Sequence, residues 1–241
     1  MSRLSFLLCA GLAALPVGCV VLPHDESTSY KAPLTDPKAE AFLSADLSEE
    51  QAAKVCLATA QVLEKKGHEK EAVLEYQQAR VHSPRLPGVA RRLAVLFDRL
   101  GDSEHARTEY VAALREQPQD ADLLNDAGYF HYQQGETADA EKYLRQALAL
   151  NARHQRAWVN LGKVLARQGR YEESCEAFGR VVRPAQAAAN LGVLLAKEGK
   201  VVEARQVLHK ALGLEPDLKA ARLLLTQLEA GGKPEVRLTA E

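Results

Sequence analysis

Tyr129 and Tyr132 stand three residues apart, and Lys163 and Arg167 four apart, so each pair shares a face wherever the chain is helical. Tyrosine gives rigid contact area, and arginine pairs with carboxylates. Together these side chains suit an extended segment with an apolar or aromatic anchor and acidic neighbours. The alternative is solvated charges, with Asp98 paired to a nearby arginine and tyrosines that only pack between helices. Other chemistry finds little support. The four cysteines, Cys9, Cys19, Cys56 and Cys175, lack the spacing of zinc or redox sites, and the seven histidines are scattered singly. No metal or cofactor is implied. The formal net charge is −1, with none of the clustered Lys and Arg that nucleic acid needs, so nucleic acid is not an expected partner.

The elements that must position these residues repeat every 34 residues. In register the units run 53–86, 87–120, 121–154, 155–184 and 185–218, with glycines at Gly67, Gly101, Gly135, Gly169 and Gly199. Five residues beyond each glycine come Ala72, Ala106, Ala140, Ser174 and Ala204; four further on come Tyr76, Tyr110, Leu144, Phe178 and Leu208. Apolar residues at i, i+3, i+4 and i+7 in each half predict two amphipathic helices per unit, with the glycine closing the turn between them. In each first helix a small residue (Ala60, Ala94, Gly128, Gly162, Gly192) lets a neighbour approach closely. Pro84, Pro118 and Pro216 end second helices.

With Trp158, Leu161, Gly162, Gly169, Tyr171 and Phe178 in their columns, and Pro216 later, the pattern resembles the tetratricopeptide repeat family. That resemblance implies an all-α fold: a right-handed superhelical solenoid of antiparallel helix pairs, here five units, its last one covered by a capping helix over 218–229. The solenoid is expected to fill 51–230, leaving 231–241 as a disordered tail. The fourth unit has 30 residues instead of 34, a loss of about one helical turn, which predicts a tightened or kinked junction around Pro184. Cys56 and Cys175, several helices apart, are expected to stay free thiols that fill core space.

In this family the concave face is lined by the fifth, ninth, twelfth and thirteenth places of each first helix. In unit two those places carry Arg91, Val95, Asp98 and Arg99, and in unit three Asn125, Tyr129, Tyr132 and Gln133. In unit four they carry Val159, Lys163, Ala166 and Arg167. The resemblance makes them a candidate groove for a protein or peptide partner. The family's clamp for carboxylate tails needs Lys and Asn where the first unit has Leu57 and Gln61, so that clamp is absent as written. The parts outside the repeats are too short to house an enzyme's pocket, and no catalytic activity is expected.

The opening residues "MSRLSFLLCAGLAALPVGCVVLP" have one charge at Arg3 followed by an uncharged run, the order of a secretory signal over 1–18. Leu15-Pro16-Val17-Gly18-Cys19 resembles the lipobox of bacterial lipoproteins, with Pro16 where that motif usually carries Leu. The resemblance implies lipidation at Cys19 and anchoring in the bacterial cell envelope, with the outer membrane favoured by Val20 in the next position. Signal cleavage without lipid, giving a periplasmic or secreted protein, and an uncleaved anchor remain open. Residues 19–50, with Pro23, Pro33 and Pro37, read as a tether containing a possible short helix from Pro37 and a helix start at Ser48. The function these features imply is a membrane-tethered scaffold that holds a protein segment in its groove. Two alternatives are a pilotin-like accessory lipoprotein of a pilus or secretion assembly, since lipid-anchored relatives include such proteins, and a soluble exported co-chaperone.

Overall fold

The computed structural model describes residues 47–231; the predicted signal, Cys19, the tether up to residue 46 and the tail beyond 231 lie outside the described residues. Eleven helices, and no strand, occur among the described residues. Unit one comprises α1 (Glu49–Lys65) and α2 (Glu69–His82), and unit two α3 (Val89–Arg99) and α4 (Ser103–Glu116). Unit three comprises α5 (Ala121–Gln133) and α6 (Thr137–Leu150), and unit four α7 (Gln155–Arg167) and α8 (Tyr171–Gly179). Unit five pairs α9 (Pro184–Lys197) with α10 (Val201–Leu214), and α11 (Lys219–Glu229) packs on that pair as the closing helix.

Local sequence explains the boundaries. The Ser48 hydroxyl accepts the Gln51 backbone N–H at 3.3 Å while Gln51 Oε1 accepts the Ser48 N–H at 2.9 Å, a reciprocal cap that starts α1. Between α7 and α8 the chain reverses through Gly169 at φ +79°, a left-handed conformation that glycine adopts without steric cost. The predicted small-residue column works by contact within each hairpin. A Cβ on Gly162 would lie 2.7–2.9 Å from three ring atoms of Phe178, and one on Gly192 would lie 2.8 Å from Leu208 Cγ. Small residues there let the large side chain of the second helix lie directly on the first.

The fourth unit shows what its missing residues did. Its second helix, α8, has nine residues where α2, α4, α6 and α10 have fourteen. After Gly179 the chain turns through Val181 and Val182, half-buried against the C-terminal core, and α9 starts with Pro184 at its first turn. Proline fits there because that N–H would lack an intrahelical acceptor in any case. Cys56 and Cys175 are free, as expected, but both are only half-buried: they sit beside the core instead of filling it. Among the described residues no helix is long and apolar enough to cross a membrane.

Candidate peptide-binding groove

Helices α3, α5 and α7 lie side by side, each presenting one turn-spaced stripe to the same face. Arg91, Val95, Asp98 and Arg99 of α3, with Tyr129 and Gln133 of α5, line a hollow of about 880 Å³ whose far edges are Glu64 of α1 and Arg156 of α7. A neighbouring hollow of about 300 Å³ is lined by Asn125 and Tyr129 of α5 and by Val159 and Lys163 of α7. Tyr129 therefore stands on both. Tyr132 and Arg167 line neither hollow; the Arg167 guanidinium lies 3.9 Å from the Tyr132 ring centre, and its Nη1 donates to the Tyr132 carbonyl at 2.7 Å. The rings of Tyr129 and Tyr132 stack at 6.1 Å, and Lys163 Nζ sits 5.6 Å from the Tyr129 ring centre. The tyrosines thus act as shelves for cations.

Three of the sequence-predicted lining residues are buried: Asn125 and Val159 form the base of the smaller hollow, while Ala166 belongs to the core shared with unit five. The Asn125 Oδ1 accepts from Asn160 at 3.0 Å and its Nδ2 donates to Asp126 at 3.2 Å. A buried amide satisfied on both sides fixes how α5 meets α7.

The charges are mostly matched inside the chain. Arg91 Nη1 donates to Asp120 and Nη2 to Asp126, both at 2.9 Å. Arg156 meets Asp122 at 2.7 Å and Asp126 at 3.6 Å, so Asp126 is shared by arginines of units two and four. The bond from Arg156 holds the Asp122 carboxyl below the usual range. Arg92 pairs with Glu64 at 3.3 Å and Arg99 with Glu69 at 3.6 Å. Asp98 differs. It is half-buried on the wall of the larger hollow and has no ion pair among the described residues. Burial pushes its carboxyl above the ordinary value, with the charge of Arg99 partly opposing.

A cluster that the sequence reading missed lies outside the groove. His131, Glu136 and Asp139 offer ligand atoms within 4.8 Å of one another. Glu136, however, takes two bonds from Arg107, at 2.6 and 2.9 Å, and a third contact from His131 Nδ1 at 2.6 Å. The guanidinium already occupies the place of a cation, and Arg107 and His131 hold the Glu136 carboxyl at about 2. The cluster ties unit two to unit three. The signal for it was an arginine followed 29 residues later by a glutamate, a spacing that recurs in Arg80–Glu109.

Helix pairs in one register, small-on-large contacts inside each hairpin and a polar groove along the first helices define a tetratricopeptide-type interaction scaffold. Within that class, the chain belongs to the family described as cilia and flagella-associated protein 70 C-terminal domain, whose model matches residues 27–233. A TPR repeat-containing protein of Dictyostelium discoideum is 32% identical over 79 residues, which is 33% of this chain; the match spans 30% of that relative's length. Among solved structures, YrrB, a TPR protein described as having an unusual peptide-binding site, is similar with a TM-score of 0.57 at 22% identity, over 78% of this chain and 97% of YrrB. PilF of Pseudomonas aeruginosa is similar with a TM-score of 0.55 at 23% identity, over 77% of this chain and 96% of PilF. A tetratricopeptide repeat protein of Parabacteroides merdae gives 0.59 at 18%, over 75% and 73%. These likenesses concern the fold.

Proposed function

We propose that this protein is a membrane-tethered scaffold that holds a protein segment in the groove formed by α3, α5 and α7. The observation that carries this reading is the pair of adjoining hollows with Tyr129 on both: an open, polar-rimmed channel with an aromatic shelf at its centre. Open aromatic surface next to charged groups is the composition of an interface anchor. YrrB, which shares the fold, is described as binding peptide, and that lends the same use to this groove. The test is to change Tyr129 and Tyr132 together to Ala, verify an unaltered helical melt, and measure capture of partners from envelope extract. Capture that is undiminished sinks the groove reading and leaves the fold untouched.

The tether is a separate part of the proposal. It rests on Arg3, the uncharged run and the Val17-Gly18-Cys19 segment, and gives a lipid-anchored protein of a bacterial envelope, the outer membrane favoured. Acyl chains on Cys19 would hold the protein at a bilayer with no membrane-crossing helix. If a Cys19→Ala variant is processed at the same place and still partitions with membranes, the anchor is not the lipid. Crosslinking in envelope fractions separates the general scaffold from the narrower reading as an accessory lipoprotein of a pilus or secretion assembly, which requires a component of that assembly among the products.

A further inference from the structure

Seen as isolated residues, Arg91, Arg99, Lys163 and Arg167 invite an acidic partner. Their surroundings alter that expectation. The wall of the larger hollow holds four arginines and four carboxylates. Arg91 is taken by Asp120 and Asp126, Arg156 by Asp122 and Asp126, Arg92 by Glu64, and Arg99 is turned to Glu69. At Arg91 an acidic segment gains the guanidinium only by displacing Asp120 or Asp126, which then loses its partner in a partly dry site, whereas Arg92 and Arg99 are more exposed and more loosely held, in surface pairs worth little either way. Asp98 is the carboxylate of that wall without an ion pair among the described residues. A cation arriving at Asp98 breaks no internal pair and removes the cost of a half-buried charge.

Resting on the groove reading above, we infer that the groove selects a basic segment: one that seats a lysine or arginine on Asp98 and lays an apolar or aromatic side chain against Tyr129. Val95 lies one turn before Asp98 on α3, and Tyr129 and Gln133 line the same hollow from α5, so anion, apolar surface and amide share one site. This arrangement reads a cation beside an apolar side chain. The raised Asp98 carboxyl fits the same picture, because a bound cation would relieve the burial that raises it.

The experiment is selection of random dodecapeptides displayed on phage against the full chain, with Tyr129→Ala/Tyr132→Ala and Asp98→Asn proteins run in parallel. Peptides enriched by the unaltered protein over the tyrosine double variant are expected to carry Lys or Arg at a fixed offset from an aromatic or aliphatic residue. Their Kd should rise about tenfold on Asp98→Asn, the scale of one partly buried charge pair. The same loss should appear when the peptide's basic residue is replaced by Gln and measured on the unaltered protein, a readout immune to any folding defect of the variant. Enrichment of Asp and Glu, or no charge preference, overturns the inference while leaving a peptide groove in place. No enrichment over the tyrosine double variant overturns the groove reading, and the inference with it.

Discussion

Units two and five place different chemistry at the same four positions of the first helix. In α3 these are Arg91, Val95, Asp98 and Arg99, each at least half-exposed or lining open space. In α9 the same register gives Ala189, Val193, Ala196 and Lys197, and the first three are buried in one cluster with Leu224, Leu225 and Leu228 of the closing helix. Unit four is intermediate, with Val159 and Ala166 buried and Lys163 and Arg167 at the rim. The repeated backbone is therefore neutral about function. Four side chains per unit decide whether the inner face stays open to a partner or closes into core, and here the change runs along the chain from polar to apolar.

The sharpest way to break this comparison is to make one change at equivalent positions. Val193→Asp puts an unpaired carboxylate at a site that is 2% exposed, and is expected to cost about 3–5 kcal/mol. Val95→Asp, at a half-buried position that edges the core but opens onto the groove of unit two, is expected to cost less, about 1 kcal/mol. Urea unfolding followed by circular dichroism reads both; similar losses would show that the two inner faces are not different environments.

A smaller effect is expected within the hairpin contact. Gly162→Ala must move the Phe178 ring, a rigid plane whose nearest atom would lie 2.7 Å from the new carbon, for about 1–3 kcal/mol. Gly192→Ala meets Leu208, whose branched chain can rotate, and should cost less. Thermal melts of the two variants test the ranking, and equal melting temperatures would refute the rigid-ring explanation.

The smallest effect concerns pH. Glu136 has a folded-state value of about 2 against an ordinary 4.5, so its contribution is present above 4.5 and is lost as pH falls toward about 2. Glu136→Gln should remove that dependence. The stability gap between the variant and the unaltered chain is expected to shrink steadily over this interval, and a constant gap would dissociate the Arg107–Glu136 pair from stability.

Much of the fold was legible because the repeat exposes its own rules: a glycine wherever the turn needs a left-handed residue, a small residue opposite each large one, Ser48 and Gln51 as a reciprocal cap. The groove was legible as a place, less so as chemistry. Arg91 reads as an available cation until Asp120 and Asp126 are brought to it from 29 and 35 residues away. Asn125 reads as a contact residue until Asn160 covers its oxygen. The half-burial of Cys56 and Cys175 was not visible either, since helical spacing alone does not say how far a stripe extends into the core. Position along a helix follows from local periodicity, whereas the pairing state of a charge follows from what the next repeat delivers.

Asp126, held from one side by Arg91 and from the other by Arg156, also has a mechanical meaning. One carboxylate joins three successive hairpins, and the pairs Arg107–Glu136 and Glu141–Arg170, each spanning 29 residues, clasp the same neighbours a second time. These clasps are partly open to water, so dissolved ions weaken them, while the apolar contacts within each hairpin are insensitive to such screening. Apolar contacts also cross the junctions, as where the Tyr110 ring meets Phe130 of the next hairpin at 5.1 Å, so added salt loosens the outer clasps between the solenoid's coils while the shared core keeps the coils stacked.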